Sequence, residues 1–310
     1  MIRKFTVSVA AIALLAGLTG CNGFSSGSAA EGEGDAIVLT DVDFDPDSLI
    51  PETQPLADYL GNNLRRAGIS DGKVKIAPNV ATVSEWMASG EVNLYFDSVY
   101  PAMLVMEESG ALPILRRWKD GVPEYNTFIV TTVDSNITGL DDLKGQMLSM
   151  ESPSSSSGFM FPMIAMLEAG LNPVEKAEAN HTVADDEVGY VFSGDPENTV
   201  DWILEGRVQA GAVDNETWDE LSPEEKAELT IIAETEKFPR HMVLAGPSLS
   251  EETIAALKRT MTRMDESRKG RKALAEFSET AQFDEFPEGA DQEIERLREA
   301  YDMLQAHLAQ

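Results

Sequence analysis

The chain is short of the groups on which most protein chemistry depends. It holds one cysteine, Cys21, and three histidines, His181, His241 and His307, in 310 residues. A single cysteine excludes an intramolecular disulfide. Histidines so widely spread lack metal-ligand spacing, and no nucleophile stands beside a base in sequence, so no metal site, no catalytic residue and no cofactor is expected. Basic residues are scarce as well. Lys and Arg number 24 against 54 Asp and Glu, for a formal charge of −30. A surface of that sign cannot neutralise a phosphate backbone, which excludes nucleic acid as a partner. It fits work in saline surroundings. Beyond the first twenty residues no run is long and apolar enough to cross a bilayer.

The N-terminus sets the compartment. Arg3 and Lys4 precede FTVSVAAIALLAGL, an apolar core shorter than a comfortable span, and Leu18-Thr19-Gly20-Cys21 follows. Small residues before a cysteine at that place resemble a bacterial lipoprotein signal. Residues 1–20 are therefore expected to be removed and Cys21 lipidated, holding the protein on the outer side of a membrane, in the periplasm or its equivalent. Residues 21–36, including NGFSSGSAAEGEGD, read as a flexible tether. Its GFSSG matches the nucleophile elbow G-x-S-x-G only in letters, because a strand before it and a helix after it are both missing.

From about Ile37 short apolar runs alternate with amphipathic stretches, which predicts an α/β architecture too long for one core. AIVLT, KVKIAP, VNLYF, LPILRRW, QMLSM, YVFSG, VQAGAV, LTIIAET and HMVLAG read as strands. Between them QPLADYLGNNLRRAG, ATVSEWMASG, YPAMLVMEES and NTVDWILEGR read as helices, several closed by glycine. Ser222-Pro223-Glu224-Glu225 carries the capping-box pattern with proline at the first helical position. Asp41-Val-Asp43-Phe-Asp45-Pro-Asp47, with Glu52 beyond, imitates a calcium loop, but Pro46 stands where the turn needs glycine, so calcium is not expected.

SMESPSSSSGFMFP, residues 149–162, looks like a slack linker by composition, yet it joins an apolar strand to an apolar helix. Preceded by DSNITGLDDLKG, it resembles the phosphonate and phosphite substrate-binding proteins of ABC transporters. QPLADYL, APNVATVSEWMASGEVNLYF, EYNTFIV and EGRVQAGAVDNET fall in register with that family over about residues 37–250. The resemblance implies a type II periplasmic-binding-protein fold, two α/β lobes joined by extended crossovers near Glu124–Thr131 and Phe238–Leu244. Residues 37–125 with 245–310 would form one lobe, and 126–244 the other with the return crossover. It implies a monomer that catalyses nothing and hands a small phosphorus oxyanion or phosphonate to an ABC permease and its ATPase. A sensory receptor, or a binder of a cationic or zwitterionic molecule, is the alternative.

A helix N-terminus offers unpaired N–H groups and partial positive charge, so oxyanions bind there without a basic side chain. The resemblance assigns Ser155, Ser156 and Ser157 to that contact, with Gly158 leaving the approach clear. Tyr125 at the crossover, Asp97 and Ser98 after the third strand, Asp195 in a Ser-Gly-Asp-Pro turn and Asp214 at a strand's carboxyl end complete the expected ligand set. Asp97 and Val80 stand where relatives carry tyrosines, and Asp195 near an expected histidine. Ionised carboxylates repel a dianion, so these aspartates point away, or one is protonated, or the ligand carries a cationic group.

Overall fold

The computed structural model describes residues 35–43 and 46–310; the signal-like segment, Cys21 and most of the tether lie outside them, as do Phe44 and Asp45. The first lobe opens with β1 (Asp35–Val42), α1 (Pro46–Asn63), β2 (Ile69–Ala77), α2 (Val80–Ser89), β3 (Leu94–Asp97), α3 (Val99–Ser109) and β4 (Leu112–Arg117). Strand β5 (Glu124–Tyr125) leads across to the second lobe. There β6 (Thr127–Thr132) and β7 (Met147–Met150) precede a π-helical turn, Ser156–Met160, that runs on into α4 (Phe161–Glu168). Then come β8 (Pro173–Glu175), β9 (Val188–Phe192), α5 (Pro196–Leu204), β10 (Ala210–Asp214), α6 (Asn215–Glu220), α7 (Pro223–Glu228) and β11 (Leu229–Glu234). Strand β12 (Phe238–Pro239) returns the chain to β13 (His241–Ala245), α8 (Glu251–Met261), α9 (Arg268–Glu276), β14 (Phe283–Asp284) and α10 (Ala290–Leu308).

Each lobe is built on a six-stranded sheet, in the orders β14-β4-β13-β3-β1-β2 and β11-β6-β10-β7-β9-β8. In the first, β1 runs parallel to β2 and β3, and β13 lies antiparallel between β3 and β4. In the second, β7 is parallel to β9 and β10, while β6 is antiparallel to β10 and β11. Helices cover both faces, as parallel strands buried on both sides require. Ile37 and Leu39 of β1, and Ile129 and Val130 of β6, are fully buried.

The two crossovers are themselves paired. Phe238 lies opposite Tyr125 and Pro239 opposite Glu124 in a separate antiparallel ribbon. That ribbon ties the passages between the lobes to each other. Phe161 of α4 stacks on Phe238 at 4.3 Å and meets Tyr125 edge-on at 5.5 Å, seating the ribbon on the second lobe.

Helix α1 extends further than its sequence suggests. It starts at Pro46 and contains Pro51 and Pro55, residues that normally end or kink a helix. The enclosed Leu56, Ala57 and Leu60 seat the part read as helix from the sequence, whereas the added residues 47–52 are mostly exposed. Helix α10 lies against both lobes. Its Gln305 Nε2 reaches Tyr100 Oη of α3 at 3.5 Å, and its His307 Nε2 sits 2.7 Å from the Pro173 carbonyl of β8. Of its apolar stripe, Leu297 and Leu304 are fully buried, whereas Leu308 is largely exposed.

Candidate ligand cleft

The carboxyl ends of β1, β3, β7 and β10 converge where the lobes meet, and open α/β sheets bind ligands at such ends. A cavity of about 430 Å³ lies there, lined by Asp97 and Ser98 of the first lobe, Ser155–Ser157 and Asp214 of the second, and Tyr125 and Arg240 of the crossovers. Larger grooves occur on the surface, but this cavity gathers buried cations and helix starts together. The first residues of α2 and α5, Val80 and Pro196, also border it. Helix N-termini from both lobes thus aim at one space, each contributing partial positive charge and unpaired N–H groups.

The serine run is helical from Ser156, two residues earlier than the position of Gly158 suggests, because the helix opens with a π turn. Ser155 is its N-cap: its Oγ accepts from the Gly158 N–H at 2.8 Å and donates to Glu151 Oε2 at 2.7 Å. Ser156, though on the second lobe, bonds to the first. Its Oγ accepts from the Tyr100 N–H at 2.8 Å and donates to Ser98 Oγ at 2.9 Å. Ser98 is the N-cap residue of α3 but makes no capping bond with its side chain. The hydroxyl that satisfies that helix start therefore comes from across the cleft. Ser157 is buried, and its carbonyl accepts from Thr127 Oγ1 at 2.7 Å. Gly158 has a tighter role than clearing an approach: a Cβ there would lie 2.3 Å from Glu151 Cβ and 2.7 Å from Glu151 Oε2.

The remaining expected residues fare differently. Tyr125 is buried beneath the cavity, and burial pushes its phenol up to about 12, so it stays protonated. Asp214 borders the cavity while capping α6, its Oδ1 accepting from the Thr217 N–H at 2.8 Å. Asp97 also borders it, with its oxygens engaged at home. They accept from Tyr95 Oη, from the Ser98 N–H at 2.6 Å and from Ser98 Oγ at 3.2 Å. Burial raises its pKa, against those bonds. Asp195 stands beside the lining Pro196 without itself lining the cavity. Its Oδ1 accepts from the Asn198 N–H at 2.6 Å and its Oδ2 from Asn198 Nδ2 at 2.7 Å, which commits the carboxylate to starting α5. The Asp-Pro pair is a cap followed by proline at the first helical position, a signature that was open to that reading.

Three lining groups had no signal in the sequence. Arg240 follows the return crossover and spans it, its Nη2 lying 2.7 Å from Glu216 Oε2 of the second lobe and 3.5 Å from Asp120 Oδ2 of the first. The guanidinium sits 4.7 Å from the Tyr125 ring centroid, and its buried Nε has no hydrogen-bond partner. Burial opposes the charge, yet Tyr125, Glu216, Asp214 and Asp120 together raise its pKa. Lys119 borders the same space, its pKa lowered chiefly by burial and then by Arg240. Glu151 lies under the serine turn, with a pKa raised by burial.

Asp41, near the end of β1, is a further buried carboxyl that feels the charge of Asp97. Burial first, and the Asp97 charge second, push its carboxyl up to about 7. An unfolded aspartate titrates near 3.9, so between these values the folded chain holds a proton that the unfolded chain has lost. The resulting stability is full below about pH 4 and lost as pH rises through about 7. Asp41→Asn is expected to flatten the fall in stability between about pH 4 and pH 7. Denaturant melts across that range check it, and an unchanged slope would assign the pH dependence elsewhere.

Comparison with known proteins gives one consistent answer. A family profile described as "ABC transporter, phosphonate, periplasmic substrate-binding protein" matches residues 41–293. The phosphate-import protein PhnD of Mycolicibacterium smegmatis is 26% identical over 268 residues, 83% of this chain and 80% of that protein. Among solved structures, XAC2383 from Xanthomonas citri bound to ATP superposes with a TM-score of 0.78 at 25% identity, covering 88% of this chain and 98% of that one. PhnD1 from Prochlorococcus marinus in complex with methylphosphonate shares the fold, with a TM-score of 0.58 at 17% identity over 86% of this chain and 98% of its own.

Proposed function

The chain belongs to the periplasmic substrate-binding proteins of phosphonate ABC transporters, and from that premise we propose that it captures a phosphonate or related phosphorus oxyanion in the cleft between its lobes. As a family member it is an extracytoplasmic binding protein that presents a small molecule to a permease and its ATPase, and it is not an enzyme. The finer reading adds a lipid anchor at Cys21 and a monomeric state.

In this reading the ligand oxygens accept hydrogen bonds from the N–H groups at the serine turn and the start of α3, from the Ser157 hydroxyl, and from those of Ser155 and Ser156 once they turn from Glu151 and Ser98. Arg240 and Lys119 supply the compensating charge. The single observation that carries it is Arg240: a largely buried guanidinium on the crossover that lines the cavity of helix starts, its enclosed Nε without a hydrogen-bond partner among the described residues. Charged donors pair strongly with phosphoryl oxygens, and a guanidinium fits their geometry. Ligand touching both lobes stabilises the closed form, because the open form lacks half of those contacts. The carboxylates answer a second need. Asp97 is occupied by Tyr95 and Ser98, while Asp214 and Glu151 border the cavity and favour a ligand with an amino group beside its phosphonate.

A melting panel tests the proposal. Phosphate, phosphite, methylphosphonate, 2-aminoethylphosphonate, ATP, an aliphatic sulfonate and a quaternary amine are added to the full chain. A matching phosphonate at about one hundred times its Kd adds roughly 2.7 kcal/mol of stability. The aminoalkyl compound is expected to exceed the plain alkyl one. A panel in which only the quaternary amine raised the melting point would overturn the oxyanion site.

A further inference from the structure

The cleft uses few of the chain's cations, and a separate group of them gathers at the opposite end of the first lobe. Residues 259–272 read RTMTRMDESRKGRK, six basic residues against two acidic in a chain of net charge −30. All six are exposed. Arg263 pairs with Glu266 at 2.9 Å and Lys272 with Glu276 at 3.4 Å, whereas Arg259, Arg268 and Lys269 have no ion-pair partner among the described residues. The exposed Arg65 and Arg66 join them in the 3-10 turn Arg65–Ala67, against which α8 packs.

Two physical features mark this patch as more than scatter. Helix α9 starts at Arg268, so Arg268, Lys269 and Arg271 occupy its first turn. Cations there oppose the helix dipole and cost stability, and the first turn holds no acidic residue to relieve it. The turn is also anchored hard: Gly270 is packed so closely on the Met264 carbonyl that a Cβ would approach it to 2.0 Å. Beside it runs a groove of about 900 Å³ between the end of α1 and the start of α9, bordered by Tyr59, Asn62, Asn63, Arg268, Lys269 and Lys272. Asp58 and Glu276 also border it. The groove thus has the Asn62 and Asn63 amides on one wall, each also donating one N–H to a carbonyl of its own helix at 2.7 Å, and positive charge on the other.

We propose that this pole of the first lobe seats on anionic lipid headgroups, taking their phosphates into the groove and along the first turn of α9. The occupant follows from where the chain enters the fold. The Asp35 N–H donates to the Gly68 carbonyl at 2.9 Å, directly after the Arg65–Ala67 turn. The polypeptide therefore joins the folded body at this basic pole, and an anchor at Cys21 would bring this pole, not the acidic remainder, to the membrane. The inference rests on that anchor for its setting, but the headgroup contact is a property of the pole itself. Guanidinium–phosphate contacts act at bonding distance, so they also survive moderate salt better than long-range attraction does.

The full-length protein is mixed with vesicles of phosphatidylcholine alone, or of phosphatidylcholine with about one-third phosphatidylglycerol. Flotation with the neutral vesicles reads the anchor; the difference between the two vesicles reads the pole. Deuterium uptake over residues 262–272 is expected to slow roughly tenfold on the anionic vesicles relative to the neutral ones, and to recover near 1 M salt. The combined variant Arg268→Gln, Lys269→Gln, Arg271→Gln, confined to exposed side chains, should lose that protection while keeping ligand affinity. Protein that floats on neither vesicle removes the anchor and the headgroup contact together. Flotation on both with equal uptake keeps the anchor and overturns the contact. Protection that arises only when the permease is added overturns it too, and assigns the pole to an acidic protein surface.

Discussion

Replacing Arg240 with glutamine should weaken phosphonate binding by roughly two to three orders of magnitude, the effect of removing one partner from a buried, hydrogen-bonded charge pair. Arg240 is bonded to Glu216 of the second lobe and Asp120 of the first, and its Nε is the one cationic donor shown here to be buried and unused. Arg240→Lys keeps the charge but cannot span both carboxylates while turning a third donor inward, so it should recover only part of the loss. Titration calorimetry on the full chain, beside a melt of the ligand-free variant, separates binding from folding. An unchanged dissociation constant in Arg240→Gln would remove the crossover cation from the site.

The second large effect is expected at Gly158. Its missing side chain is what lets Glu151 and Ser155 close on the serine turn, since a Cβ would sit 2.3 Å from Glu151 Cβ and 3.0 Å from Ser155 Oγ. The first of these contacts is with the stem of Glu151, which cannot swing away. Gly158→Ala should therefore push Glu151 and the Ser155 cap apart, at a cost of roughly 1–3 kcal/mol in folding. Because the displaced N–H groups are the proposed oxyanion donors, affinity should fall at least tenfold in the same variant. Gly139→Ala is the control, as no atom lies within 4 Å of a Cβ there. A Gly158→Ala protein that melts earlier but binds equally well would show that the turn is structural and that the ligand lies elsewhere.

The frame of the molecule was legible from the sequence because it is written in local signals. Alternating apolar runs, glycine stops and the Ser222–Glu225 capping box act over a few residues, and the capping box forms in full. The serine turn was legible for the same reason, being a short polar run between two apolar elements. Asp195 is ambiguous in sequence because a capping aspartate and a ligand aspartate look alike until the partner is known, and the partner in this structure is Asn198. Arg240 was invisible for the opposite reason. It sits in FPRHM, a stretch without periodicity, and its meaning depends on Asp120, 120 residues earlier, and on Glu216. The other difference is the start of α1 at Pro46: Pro51 argues against a helix that early, and the residues it adds, 47–52, are mostly exposed.

The insertion of β13 between β3 and β4 governs the order in which this protein can be finished as it is made. All strands of the second lobe's sheet lie between Thr127 and Glu234, so that sheet can complete as soon as this segment is available. The first lobe's sheet cannot. Its β3 and β4 meet only through β13, which is not synthesised until residues 241–245, and β14 comes later still. A nascent chain delivered N-terminus first thus carries a finished second lobe while the first still displays unpaired strand edges, the surfaces most prone to wrong pairing. Dependence on chaperones after export, and the damage done by late truncations, should accordingly fall on the lobe that was begun first.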